Sequence, residues 1–228
     1  MVASREDMLR EMRRPSLWQR LGRDDWAWAA LVALATAATY WVLWDVMNVY
    51  EVVITFFTAG TMIGIGWHWH ASRWYMATVC LASLFAITRY PELGAAQTDF
   101  FLKYLLSSQS AIMWMSALFP AATVVYGVAL FTGNDFAGRV ASKLTWIAAG
   151  AGLIGLLVRW HETHLYEGGI GYIPVSNLYE VFVLFAVMTA LIYLYYENAQ
   201  RTRSMGFFVL LIISASIGFL LWYHFDRG

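Results

Sequence analysis

An all-α bundle of about seven transmembrane helices is the fold class this sequence predicts, with its N-terminus inside and its C-terminus outside. Three observations predict it. Hydrophobic residues make up 60% of the 228 and charged residues 13%, about half the charged share of a soluble domain. No soluble core of this size hides that much apolar surface. The apolar residues fall into separate helix-length runs without the period-2 alternation of a membrane barrel. Lysine and arginine then crowd the segments on one side of those runs.

The elements follow in chain order. Residues 1–25 carry Met8, Leu9, Met12, Leu17 and Trp18 among arginines. They read as an amphipathic cytoplasmic tail lying on anionic lipid, too long and polar for a cleaved signal peptide. Residues 26–228 form the transmembrane domain. Its apolar runs lie at 26–44, 52–67, 74–88, 105–131, 144–158, 178–196 and 205–223. The second, third and fifth are short for a bilayer and recruit flanking Trp, Tyr or Arg. The fourth is long and contains Pro120, which predicts a kink or a broken start. Many of the 12 tryptophans sit at run ends, the depth at which amphipathic rings settle. With the N-terminus inside, the inner segments hold eleven of the 15 Lys and Arg, and the outer ones hold Arg89, Lys103, Arg159 and Arg227. Residues 160–178 are then an extracytoplasmic loop.

The same residues exclude several functions. A net charge of zero leaves no nucleic-acid footprint. Cys80 is alone and cannot form an intrachain disulfide. There is no C-x-x-C, Walker motif, Ser-His-Asp order, paired carboxylate or metal-ligand spacing. Of five histidines, His68 and His70 stand two apart and face different ways, which suits an interfacial role, and His224 closes the last run. His161 and His164 stand three apart in H-E-T-H, on one helical face. Imidazole is a common haem ligand, so these two are the candidate cofactor ligands; a solvated loop role is the alternative.

Residues 171–180, G-Y-I-P-V-S-N-L-Y-E, are the most specific stretch. Ser176 and Asn177 are placed to cap a helix starting near Leu178, with Glu180 at its third position: capping-box spacing at the positive end of the helix dipole. The other reading is that Tyr179 and Glu180 line a site. Pro174 stiffens the approach. The 107–110 cluster, S-S-Q-S, reads as hydrogen-bonding glue between helices or as a polar patch.

The stretch Gly171, Ile173, Pro174, Val175, Ser176, Asn177, Leu178, Tyr179 and Glu180 resembles the G-H-x-P-x-S-N-L-Y-E signature of the CcsA (ResC) family. That family belongs to the system II cytochrome c assembly pathway. Residues 101–111 and 191–197 are similar to it too. The family has His where this chain has Tyr172, and its tryptophan-rich WWD segment with haem-holding histidines is not among these residues. The resemblance therefore implies the N-terminal portion of a longer protein, whose haem ligands lie outside this chain. It further implies a multi-pass protein of the bacterial inner (plasma) membrane. Such a protein helps deliver haem to apocytochrome c at the outer face, as part of a holocytochrome c synthase (haem lyase) complex with a CcsB (ResB)-like partner. Gly171, Tyr172, Pro174, Ser176, Asn177, Tyr179 and Glu180 would shape the outer loop. The alternatives are a structural subunit of a respiratory or assembly complex and a small transporter.

Overall fold

The computed structural model describes residues 20–45, 47–166 and 171–227, with side chains described as far as residue 222. Most of the expected amphipathic tail, residues 167–170 of the expected extracytoplasmic loop and the His224 side chain lie outside the described residues. The helices are α1 (Arg23–Leu43), α2 (Val49–His68), α3 (Ala71–Thr88), the single turn α4 (Ala95–Thr98), a π-helical turn at Leu102–Leu106, α5 (Ser108–Thr132), α6 (Asp135–Leu165), α7 (Leu178–Gln200) and α8 (Gly206–Arg227). No strand occurs among the described residues. Five helices, α1, α2, α5, α6 and α7, are long and apolar enough to cross a membrane. The 18-residue α3 is not among the five, and α8 contributes a shorter apolar stretch, Gly206–Trp222.

The chain forms two compact units, Met1–Met76 and Ala77–Gly228. In the first, Asn48 caps α2 in a closed capping box. Its Oδ1 accepts the Glu51 N–H at 3.0 Å and its own N–H donates to Glu51 Oε2 at 2.8 Å. Gly66 has no room for a side chain because the Trp28 indole lies on it, and Trp28 Nε1 donates to the Met62 carbonyl at 3.0 Å. α1 and α2 thus meet through one indole and one missing Cβ. Buried Asp25 is the polar tie. Its carboxylate accepts from the Gly22 N–H at 2.7 Å, from the Arg73 guanidinium and from His70 Nε2. His68 turns instead to the Gly64 carbonyl. The W-H-W-H histidines therefore serve different partners, as a spacing of two dictates.

In the second unit α5, α6, α7 and α8 pack together. A run of small residues on α6 allows close approach. A Cβ on Gly152 would stand 2.5 Å from Val187 and 2.7 Å from the Met115 sulfur, and one on Gly155 2.7 Å from Ile112. In lipid, where neighbouring tails are as apolar as leucine, such close packing is what holds helices together. Two boundaries differ from the sequence expectation. The expected 132–143 connection shrinks to a turn, in which Gly133 takes φ +65° and Asn134 caps α6. α6 consequently extends to 31 residues, about 46 Å at 1.5 Å per residue. That outruns a hydrocarbon core of about 30 Å, so its polar ends need not sit at hydrocarbon depth.

The fourth run breaks at Ser107, and Pro120 lies inside α5. The Ser107 N–H closes the π turn on the Leu102 carbonyl. Carbonyls released there are taken by side chains: Ser110 Oγ donates to Lys103 O at 2.6 Å, and Trp114 Nε1 to Tyr104 O at 2.8 Å. This is the compensation a broken helix needs among apolar neighbours.

At the other end of α5, Glu197 is buried with two tyrosines and meets a third, exposed partner. Tyr126 and Tyr193 donate to its Oε2 at 2.6 and 2.7 Å, and Arg203 Nε donates to Oε1 at 3.2 Å. Gly206 starts α8 directly beneath both tyrosines, where a Cβ would stand 2.5 Å from each.

Candidate functional site

The last turns of α6 carry Arg159 and Glu162 on one face, three residues apart, and Tyr166 follows directly after the helix. The N-terminus of α5 meets that face. Glu162 accepts from the Ser108 N–H at 3.3 Å and from Ser108 Oγ at 2.6 Å, so a buried carboxylate rests on the positive end of a long helix. Arg159 Nη1 donates to Glu162 Oε2 at 3.3 Å and to the Tyr166 oxygen at 3.2 Å. Its Nε reaches Glu180 Oε1 at 3.5 Å. One guanidinium, with 32% of its side chain exposed, therefore serves two carboxylates that are 6% and 4% exposed.

This overturns the expectation of no paired carboxylate. Glu162 and Glu180 lie 18 residues apart on different helices, and only packing of α6 against α7 gives them a common cation. Sequence spacing does not report such a pair. The available signal was an Arg and a Glu three apart at the end of an apolar run, in R-W-H-E-T-H.

The 176–180 segment is built as a helix start, with one difference from the expected capping box. Asn177 Oδ1 accepts the Glu180 N–H at 2.8 Å. The return bond misses Asn177: Glu180 Oε2 instead accepts from the Ser176 N–H at 2.9 Å and Ser176 Oγ at 3.1 Å. The carboxylate reaches one residue further back, because its other oxygen is drawn toward Arg159. Pro174 is buried, whereas Tyr179 is 41% exposed. The Tyr172 ring is exposed, and its carbonyl accepts from Thr163 Oγ1 at 3.2 Å.

His161 and His164 belong to α6, which extends past both of them; the loop expected from residue 160 begins only after Leu165. His161 Nε2 donates to the Tyr90 carbonyl at 3.1 Å. His164 Nδ1 donates to the Trp160 carbonyl at 3.0 Å, and its Nε2 edge is covered by Gly171, whose φ of +71° and missing Cβ permit that contact. The two rings turn to different partners, and neither lines the cavities described next. Each ring thus has one nitrogen committed to a backbone carbonyl. Among the described residues no cluster of three or more His, Cys, Asp or Glu could hold a metal ion.

Two cavities flank Arg159. One, of about 390 Å³, is polar, with Lys103, Ser107, Gln109, Glu162 and Tyr166 among its walls. Tyr90 also lines it, and burial, then the Glu162 charge, pushes that phenol well above its usual range. The other, of about 750 Å³, runs from Arg159, Asn177 and Glu180 along α5 to Ala117. Ser108, Gln109 and Arg159 border both. The S-S-Q-S cluster is thus glue in part: Ser108 joins α5 to α6, while Ser107 and Ser110 repair the break.

Comparison with known proteins found no matching family model, no similar curated protein and no similar solved structure.

Proposed function

We propose that this chain is a CcsA-like component of system II c-type cytochrome assembly in a bacterial plasma membrane. On this reading it has seven apolar segments, its N-terminus is cytoplasmic and residues 171–180 lie at the outer face. The observation that carries the reading is the use made of the P-V-S-N-L-Y-E segment. Its signature residues Ser176, Asn177 and Glu180 bond one another and tie α7 to Arg159 of α6. A buried acid so firmly held shapes a platform; it does not make bonds. The Lys/Arg asymmetry supports the orientation.

On this reading haem ligation falls outside this chain, to a partner of the CcsB (ResB) kind. The contribution of this chain is positional: it holds the helix ends and the loop against which haem and apocytochrome c are brought together. Deleting the gene from an organism that makes c-type cytochromes tests this. Haem staining should vanish and return with the wild-type gene. Normal c-type haem in the deletion strain refutes the proposal. Orientation is tested separately in a Cys80→Ala background, since Cys80 is the one cysteine and is exposed. A cysteine at Gly168 should label from outside intact cells, and cysteines at Asn134 or Thr202 should not. Outside labelling at Asn134 refutes the seven-segment arrangement.

A further inference from the structure

The larger cavity has two chemically different ends. Along α5 its wall runs from Ser108 and Gln109 through Ile112 and Met113 to Ser116 and Ala117, about 14 Å at 1.5 Å per residue, so that one hydroxyl interrupts an otherwise apolar stretch. Leu220 and Leu221 of α8 add apolar wall. The polar end holds three side-chain groups that bond nothing else among the described residues: the Gln109 amide, the Asn177 amide nitrogen and the Tyr179 hydroxyl. All three can donate. The charge at this end is already committed. Arg159 stands against Glu162 and Glu180, one formal positive charge against two negative. An anionic head is repelled there, and the carboxylate oxygens that would hold a cationic head already accept from Ser108, Arg159 and Ser176.

We infer that this cavity binds a single-tailed, uncharged lipophile whose head accepts hydrogen bonds, of the quinone class. A quinone offers two neutral carbonyl acceptors on a flat ring and one apolar tail. That matches donors on two helices, α5 and α7, above one apolar stripe. The volume of about 750 Å³ lies within the range of small-ligand sites, about 300–1,000 Å³. Binding is the whole of the inference; it needs no redox step and stands apart from the cytochrome assembly role.

The test uses the full chain in nanodiscs of zwitterionic lipid and a tritiated decyl-benzoquinone. Saturable binding of one equivalent per chain is expected, weakened at least tenfold by Gln109→Ala and by Ala117→Phe. Both residues are exposed, so these variants leave the packed core alone, and circular dichroism confirms their helix content. Palmitate, with a similar tail and an anionic head, should not displace the probe. Absence of saturable binding overturns the inference, as does unchanged binding in Ala117→Phe. Displacement by palmitate at equal concentration overturns the neutral-head assignment.

Discussion

Replacing Arg159 with methionine removes one cation from two carboxylates that have almost no access to water. Glu162 keeps its bonds from Ser108, and Glu180 keeps those from Ser176, so neither is stripped of donors. Both nevertheless lose their counter-charge in a low-dielectric setting. Breaking a buried pair in this way costs about 3–5 kcal/mol, because the remaining charge is left uncompensated. For a chain of this length each kcal/mol moves the unfolding midpoint by about 2–4 °C, which gives a drop of roughly 6–20 °C. The assay is thermal unfolding of the purified chain in mild detergent, followed by circular dichroism. The same logic predicts a rescue. The triple variant Arg159→Met/Glu162→Gln/Glu180→Gln buries no net charge and should recover most of the loss, since an apolar or neutral replacement of a whole buried ion pair is often neutral. A drop in Arg159→Met corresponding to less than about 1 kcal/mol, the upper end for exposed pairs, refutes the reasoning, because the carboxylates would then be solvated. A triple variant no more stable than the single variant refutes it equally.

The other predictions concern separate parts of the fold. Asn177→Ala should cost about 0.5–2 kcal/mol by uncapping α7, and Glu180→Gln should cost less than Arg159→Met, both read from the same melts. Gly152→Val should destabilise by about 1–3 kcal/mol or more through overpacking against Val187 and Met115, and Gly64→Val, with open space around it, should be tolerated. Glu197→Leu strands two tyrosine hydroxyls, each worth about 1–3 kcal/mol when buried unpaired, so Glu197→Leu combined with Tyr126→Phe and Tyr193→Phe should melt higher than Glu197→Leu alone. Asp99 accepts the Leu102 and Phe101 N–H groups and pairs with Arg89, and these hold its carboxyl below the usual range. The stability it adds is full above its unfolded pKa of about 3.9 and is lost as pH falls through the lower folded value. Asp99→Asn should therefore flatten the acid limb of a pH–stability profile measured between pH 5 and 2.

Most of the secondary structure was legible in the chain itself. Apolar runs of membrane length force helices, because only a helix satisfies its own backbone without water. The start of α7 was equally legible, since Asn177 bonds a group three residues away and needs no other part of the fold. Local chemistry also explains why His68 and His70 diverge. What the sequence withheld depends on distance along the chain. The length of α6 was hidden because Gly133 and Asn134 compress a connection that composition alone spreads over a dozen positions. A broken start of the fourth run was legible, but its place was not: the break falls at Ser107, while Pro120, the residue that signalled it, lies inside α5. The sharing of Arg159 between Glu162 and Glu180 depends on α5 and α7 packing closely on the glycine-bearing α6, which buries both carboxylates and leaves the guanidinium partly exposed. A pairwise electrostatic contact between helices is a property of their packing, and no spacing in a single run of residues encodes it.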